Sequence, residues 1–484
     1  MKLNYLKCLS LVGALTVGAA SAQETNELEL LRKEIRELRA RTQALEQKLD
    51  SIEQKPAAVV APPAKEITAA PVTSPAVAAS SWKPTDPITV ARAGSAYMNM
   101  SFDALVAAGG STAKDIDGGT QLGGHDPKQR GFTVQNLEIT LDGNVDPFLR
   151  GQANIVLQID PRGDTTIEAE EAYLETVSLP WNLQLKAGQY FTEFGRLNPQ
   201  HPHSWAFVDQ PLINGRFFGE DGLRSAGARM SWLVPTPFYS ELYFGLQNSQ
   251  GGTAFSFRDD HGGKPFFGRV NGSRGVKSLS DMLFTTRYAT SFELTDSQTL
   301  VAGASVAFGP NSSGNNTDTQ IYGVDLYWKW KSPRAHAGFP FVSWQTEAMV
   351  RRYEAGAFGG GTIFPPLVIG FPGSFYPHPP LPAESLMDWG FYSQVLWGFK
   401  PGWVAGLRGD FVAPTKTAIY ETILGRDLDR ATRWRVSPNL TWYPSEFSKL
   451  RLQYNYDDRD GVGVDHSIWL QFEFLLGAHA AHKF

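Results

Sequence analysis

Near its C-terminal end the chain reads Ser467-Ile468-Trp469-Leu470-Gln471-Phe472-Glu473-Phe474-Leu475-Leu476, and it closes on Phe484. Successive side chains of a strand point to opposite faces, so Ile468, Leu470, Phe472 and Phe474 share one face while Gln471 and Glu473 take the other. A strand of this kind, apolar and aromatic on one side and polar on the other, is the terminal element expected of a β-barrel in an outer membrane. The alternative is a secreted all-β sandwich or lectin-like domain. It gives no place for polar residues at every second position on a face that would have to be dry.

The same pattern runs back through the chain. Alternating segments separated by turns predict strands near 95–109, 131–145, 149–160, 167–179, 182–195, 225–234, 238–248, 283–295, 298–309, 319–331, 341–354, 386–400, 402–413, 431–443, 448–457 and 466–477. Sixteen is an even number, as antiparallel closure with both ends on one side requires, and missed short strands would allow 14–18. In 450–456, Leu450, Leu452, Tyr454 and Tyr456 are expected to face lipid, with Arg451, Gln453 and Asn455 facing the lumen. In 322–331, Tyr322, Val324, Leu326, Trp328 and Trp330 stand against Asp325, Tyr327, Lys329 and Lys331.

Composition agrees with a barrel. Beyond residue 22 there is no run of 18 apolar residues, yet Phe, Tyr and Trp supply 12% of the chain. A net charge of -5 gives no sign of nucleic-acid binding. The single cysteine, Cys8, lies in the expected signal, so the mature chain has no disulfide or thiolate metal site.

Residues 1–22 carry Lys2 and Lys7, an apolar run and Ala20-Ser21-Ala22, the three regions of a secretory signal peptide. Residues 25–54 follow as a coiled coil with Leu28, Leu31, Ile35, Leu38, Thr42, Leu45, Leu49 and Ile52 on its seam; one helix has nothing of its own to bury that seam against, so it predicts self-association. Residues 55–90 are a Pro/Ala-rich spacer, leaving 91–484 for the barrel.

The long segments 110–130, 249–282, 310–318 and 355–385 are expected to be extracellular or to fold inward. Phe364-Pro365-Pro366 and Phe375-Tyr376-Pro377-His378 suit packing in the pore mouth or against a neighbouring subunit. Between the fifth and sixth strands lies the densest motif, Phe194-Gly195-Arg196-Leu197-Asn198-Pro199-Gln200-His201-Pro202-His203-Ser204-Trp205, followed by Asp209-Gln210-Pro211 and Arg216 to Arg224. Arg196, Arg216 and Arg224 opposite Glu220 and Asp221 are candidates for a constriction, with Glu168, Glu170 and Glu175 as lumen acids beside Glu138 and Asp142. The alternative is that these charges fasten the loop to the wall or pair with Arg451, Arg408 or Arg351. His201 with His203, and His479 with His482, are the candidate metal ligands, although two distant pairs do not compose one tetrahedral site. No Gly-x-Ser-x-Gly elbow is present, and the chain does not read as an enzyme.

The signal, the coiled coil, Gln189-Tyr190-Phe191 leading into Phe194-Gly195-Arg196, and the terminal aromatic strand resemble bacterial outer-membrane porin-like proteins, broadly of the phosphate-selective type. The His201-Pro202-His203-Ser204-Trp205 run and the closing Gly477-Ala478-His479-Ala480-Ala481-His482-Lys483-Phe484 look like poorly characterised members, some labelled zinc-regulated outer-membrane receptors. The resemblance implies a homotrimer in outer-membrane lipid and lipopolysaccharide, inserted by the barrel assembly machinery through the C-terminal strand, with the stalk in the periplasm and no cofactor. It implies passive diffusion of small hydrophilic solutes or ions. The alternatives are a barrel specialised for a metal or organic solute, or a structural or adhesion barrel tied to the envelope by its stalk. No lysine cluster matches a phosphate pore, and only about 70 residues separate Gln23 from the first expected strand, too few for an energised receptor's plug.

Overall fold

The computed structural model describes residues 87–270, 272, 275–363 and 376–477. The expected signal, the coiled coil, most of the spacer, Phe364-Pro365-Pro366, and His479 and His482 lie outside them.

Sixteen strands form one closed antiparallel barrel. They are β1 (Ala96–Ser111), β2 (Gly131–Asn144), β3 (Leu149–Ile159), β4 (Thr165–Thr176), β5 (Leu183–Phe191), β6 (Arg224–Leu233), β7 (Tyr239–Asn248) and β8 (Met282–Thr295). The second half comprises β9 (Gln298–Pro310), β10 (Asp318–His336), β11 (Phe339–Ala355), β12 (Glu384–Lys400), β13 (Trp403–Pro414), β14 (Arg433–Ser445), β15 (Ser448–Arg459) and β16 (Gly463–Leu476). Each strand pairs with the next, and β1 returns to β16 with Phe102 opposite Leu476 and Ser111 opposite Ser467. Closure matters because an open edge in lipid would leave a row of N–H and C=O groups without partners. A short strand, Ile88–Ala93, precedes β1 and pairs with its first turn of chain, Ala96–Met100. It begins inside the stretch read as spacer.

Every expected strand has its counterpart, and the differences are at ends. β10 runs to His336 instead of stopping near 331, because Ala337 (φ 49°) and Gly338 (φ 86°) adopt the left-handed pair that closes a two-residue hairpin. β5 stops at Phe191 because the chain there leaves the wall and enters the lumen. Trp442-Tyr443-Pro444-Ser445 belongs to the end of β14, and the turn itself is Glu446-Phe447. Strand direction alternates, so the short turns share one end with residue 87. The long segments 112–130, 192–223, 249–281, 356–383 and 415–432 share the other. The last carries a short helix, α2 (Ile419–Leu424).

The two faces separate as the alternation predicts. Leu440, Leu452 and Leu470 neighbour one another across β14, β15 and β16 and are exposed on the outside. From the same strands Arg451, Gln453, Asn455, Gln471 and Glu473 are buried within the barrel. Trp397, Phe399, Trp403 and Trp442 gather outside near the turn end, with the last two rings stacked at 5.9 Å, as in the aromatic girdles of membrane barrels. Since Leu452 lies in the outer apolar band, Leu452→Arg should cost up to about 2–4 kcal/mol of folding free energy. Urea titration of the barrel in lipid vesicles measures this, and an unchanged midpoint would contradict the lipid-facing assignment.

Candidate functional site: a folded loop inside the lumen

The 192–223 segment folds into the barrel, and its sequence explains the path. Pro199, Pro202 and Pro211 withhold the N–H groups a continued strand needs. Gly195 and Gly222 take left-handed φ values of 60° and 70°, allowing the chain to turn in and out of the lumen. A single 3-10 turn, Pro202–Ser204, is followed by α1 (Leu212–Phe218), which begins after Pro211 and ends at Gly219.

One side of the loop is apolar. Phe194, Leu197, Leu212, Ile213, Phe217, Phe218 and Leu223 form a dry core with wall residues Leu283, Ala307, Ile321, Met349, Tyr392 and Val412. These wall residues occupy lumen-facing positions where polar side chains are the rule in a water-filled barrel. They are the sequence signal for an inward loop that the strand pattern alone did not yield.

The other side is tied by charge and hydrogen bonds. Asp209 Oδ1 accepts from Arg408 Nη2 at 2.5 Å and Gln453 Nε2 at 3.0 Å, and its Oδ2 accepts from Arg435 Nη1 at 3.0 Å and Asn455 Nδ2 at 2.8 Å. Burial would push this carboxyl up, but the Arg408 and Arg435 guanidiniums outweigh it and hold the group at about 2. Backbone N–H groups of the loop also reach the wall: Gly195 to Ser305 Oγ at 3.0 Å, Leu197 to Glu347 at 2.8 Å, Val208 to Gln453 at 2.8 Å and Leu212 to Asp410 at 3.1 Å. The 112–130 loop folds against it, with Asp126 accepting from the Gln210 N–H at 2.9 Å and Arg433 donating to the Gly119 carbonyl at 3.0 Å.

Toward β1, β2 and β4 the loop presents imidazoles to acids. His201 Nδ1 lies 2.9 Å from Glu170 and 3.4 Å from Glu138, while its Nε2 lies 3.0 Å from Glu171. His203 Nδ1 is 3.4 Å from Glu138, and His125 Nε2 is 3.3 Å from Glu170. Burial works against protonation of His201, but Glu138 and Glu170 prevail and hold its pKa well above the ordinary value. Asp103 on β1 joins Glu138 and His203, a residue the sequence reading did not single out. Among the described residues, Asp103, Glu138 and His203, and Glu138, Glu170 and His201, are grouped closely enough to hold a metal.

The expected constriction residues distribute among separate places. Arg224 is buried and bonded to Glu168 and to the Glu170 carbonyl, and Glu170 faces the histidines. Arg196, near the start of the loop, stacks 4.0 Å over Tyr327 of β10, and Glu175 lies 4.0 Å from both Lys186 and Arg229. Arg408, Arg351 and Arg451 pair elsewhere: with Asp209 and Asp410, with Asp388, and by hydrogen bonds to Thr441 and Gln471, respectively.

At the loop end a vestibule of about 700 Å³ opens, floored by Arg216, Gly219, Glu220 and Asp221 and walled by Phe255, Phe266, Arg351 and Tyr420. Arg216 donates to the carbonyls of Arg430 (3.2 Å) and Ala431 (2.8 Å), and burial lowers its pKa to about 9. The described ends of the 356–383 loop pack at this mouth, where Phe358 and Leu381 join Phe267, Tyr353 and Tyr420.

No family model matches the chain. An uncharacterized protein of Aquifex aeolicus (strain VF5) is 31% identical over 386 residues, which span 75% of this chain and 73% of that one. The chain belongs to that protein's family. Among solved structures, the outer membrane channel DcaP of Acinetobacter baumannii shares 12% identity and a TM-score of 0.52 over 80% of this chain and 99% of its own. OmpT of Vibrio cholerae, another outer membrane protein, aligns at 7% identity and a TM-score of 0.42 over 80% of this chain and 99% of its own. At such identities the likeness is one of fold. The family member described here thus has the fold of an outer-membrane channel, a closed antiparallel barrel of sixteen strands.

Asp209→Ala removes the acid from between two buried guanidiniums, and breaking a buried pair in this way costs about 3–5 kcal/mol. Hydrogen exchange over residues 205–214 should accelerate strongly while exchange in the strands stays slow. Unchanged protection of the loop would show that the apolar side alone holds it.

Proposed function

We propose that the protein is an outer-membrane channel for a restricted set of small organic solutes bearing an acidic group. The observation that carries this reading is the loop 192–223, which folds inside the lumen and floors the vestibule. General diffusion is favoured by an open water column, whereas this loop is fixed to the wall by a dry core on one side and buried charge on the other. The vestibule supports the solute class: aromatic walls suit an apolar body, and Arg216 donates to the neutral carbonyls of Arg430 and Ala431, which leaves its charge available to an anionic group. Homotrimeric assembly and a periplasmic stalk belong to the same proposal, resting on the resemblance and on the heptad pattern of residues 25–54.

Single-channel recording of the folded protein in planar bilayers tests the proposal. The wild type should give small or rare currents, and Asp209→Ala should raise conductance several-fold by freeing the loop. Arg216→Gln in the Asp209→Ala background should shift the reversal potential in asymmetric KCl toward cation preference. A wild-type current as large as that of the loop-released variant overturns the reading in favour of general diffusion. Silence of both, with folding verified, would favour a structural barrel.

A further inference from the structure

We propose that the cluster where the loop meets β1, β2 and β4 binds a divalent first-row transition-metal ion, with Asp103, Glu138 and His203 as its ligands. Glu138, Glu170 and His201 form an adjoining set that shares Glu138. The inference does not depend on the transport reading.

Three observations carry it. The first is geometric. In each set the nitrogen and oxygen atoms all lie within 4.8 Å of one another. Ligands held at about 2.0–2.2 Å from one ion sit about 3.0–4.3 Å apart, and the separations of 3.4 Å from His203 Nδ1 to Glu138, and of 2.9 and 3.4 Å from His201 Nδ1 to Glu170 and Glu138, fall at or near that range. Mixed imidazole and carboxylate donors suit zinc, manganese, iron or cobalt more than the all-oxygen shells of calcium and magnesium.

The second is electrostatic. Asp103 and Glu138 are directly opposite in the β1–β2 ladder, an arrangement that places like charges side by side. Asp103 is 2% exposed, and neither of its carboxylate oxygens accepts a hydrogen bond. Such a group requires a cation or a proton close by. Two cationic groups face it: Lys449, which is ion-paired with Glu473 and donates to the His203 carbonyl at 2.5 Å, and His203, which Asp103 shares with Glu138 and which is the imidazole of the proposed site.

The third is the support around the ligands. Glu138 Oε1 accepts from Asn154 Nδ2 at 2.5 Å and Thr140 Oγ1 at 3.1 Å, and its Oε2 accepts from Asn136 Nδ2 at 3.2 Å. Glu171 takes His201 Nε2, which directs Nδ1 at the cluster. A carboxylate behind the imidazole is the usual way a ligating histidine is oriented. The bland account, imidazoliums paired with acids, leaves His201 Nδ1 beside Glu170 without hydrogen-bond geometry.

The test uses the full chain folded in detergent, stripped with chelator, equilibrated with Co²⁺ and dialysed. Bound cobalt is read by mass spectrometry and by its visible absorption, and the heat-dependent shift in electrophoretic mobility verifies each barrel. The wild type should retain Co²⁺ with the spectrum of nitrogen and oxygen ligation. Asp103→Asn and His203→Gln should each weaken retention by at least about 10–100-fold, whereas the double variant His479→Gln/His482→Gln should retain it. If one ligand variant fails to fold, the other and the wild-type spectrum still decide. Wild-type retention no greater than that of His203→Gln, or retention lost with the two terminal histidines, overturns the proposal.

Discussion

A hydrocarbon layer offers no water to a backbone, and the structure follows from that one deprivation. Every N–H and C=O at membrane depth must find a partner in the sheet, so the first strand has to meet the last. The β1–β16 ladder supplies this closure. Once the sheet is a cylinder, alternation assigns half of each strand to lipid and half to the interior. The many charged side chains of the chain then have an inside to occupy, and most of them spend it on one another and on the loop.

The interior is therefore organised rather than merely wet. The apolar core around Phe217 and Ile213 lies against β8 to β13, while Asp209 is held from β13, β14 and β15 and the imidazoles from β1, β2 and β4. Loss of the apolar contacts would leave the charges to position the loop, and loss of the charges would leave several guanidiniums buried without their acid. The two kinds of attachment fail under different conditions, since salt and acidity act on one and hydrophobic burial governs the other.

The strands were readable because a period of two persists over ten or more residues and survives local exceptions. Ends were less readable: the course of β10 to His336 depends on Ala337 accepting a left-handed conformation, which its residue type does not advertise. The loop announced itself through its prolines, glycines and paired histidines, but its partners lie far along the chain, as Arg408 and Arg435 do from Asp209. Asp103 escaped notice because a single acid in an apolar strand has no local signature. Its significance comes from the ladder register that sets Glu138 opposite. Arg196, Arg216 and Arg224 group together by closeness in sequence, but in the fold Arg196 meets Tyr327, Arg216 the carbonyls of Arg430 and Ala431, and Arg224 Glu168.

The loop spans the lumen and is fastened at facing walls, so it acts as a crossbeam. A thin-walled cylinder under lateral pressure deforms most easily by flattening into an ellipse, a mode that costs few backbone hydrogen bonds. A brace bonded to β1–β4, β8–β13 and β13–β15 blocks that mode, because any change in cross-section must stretch one attachment as it compresses another. The bilayer's squeeze is thereby carried across the barrel as well as around it.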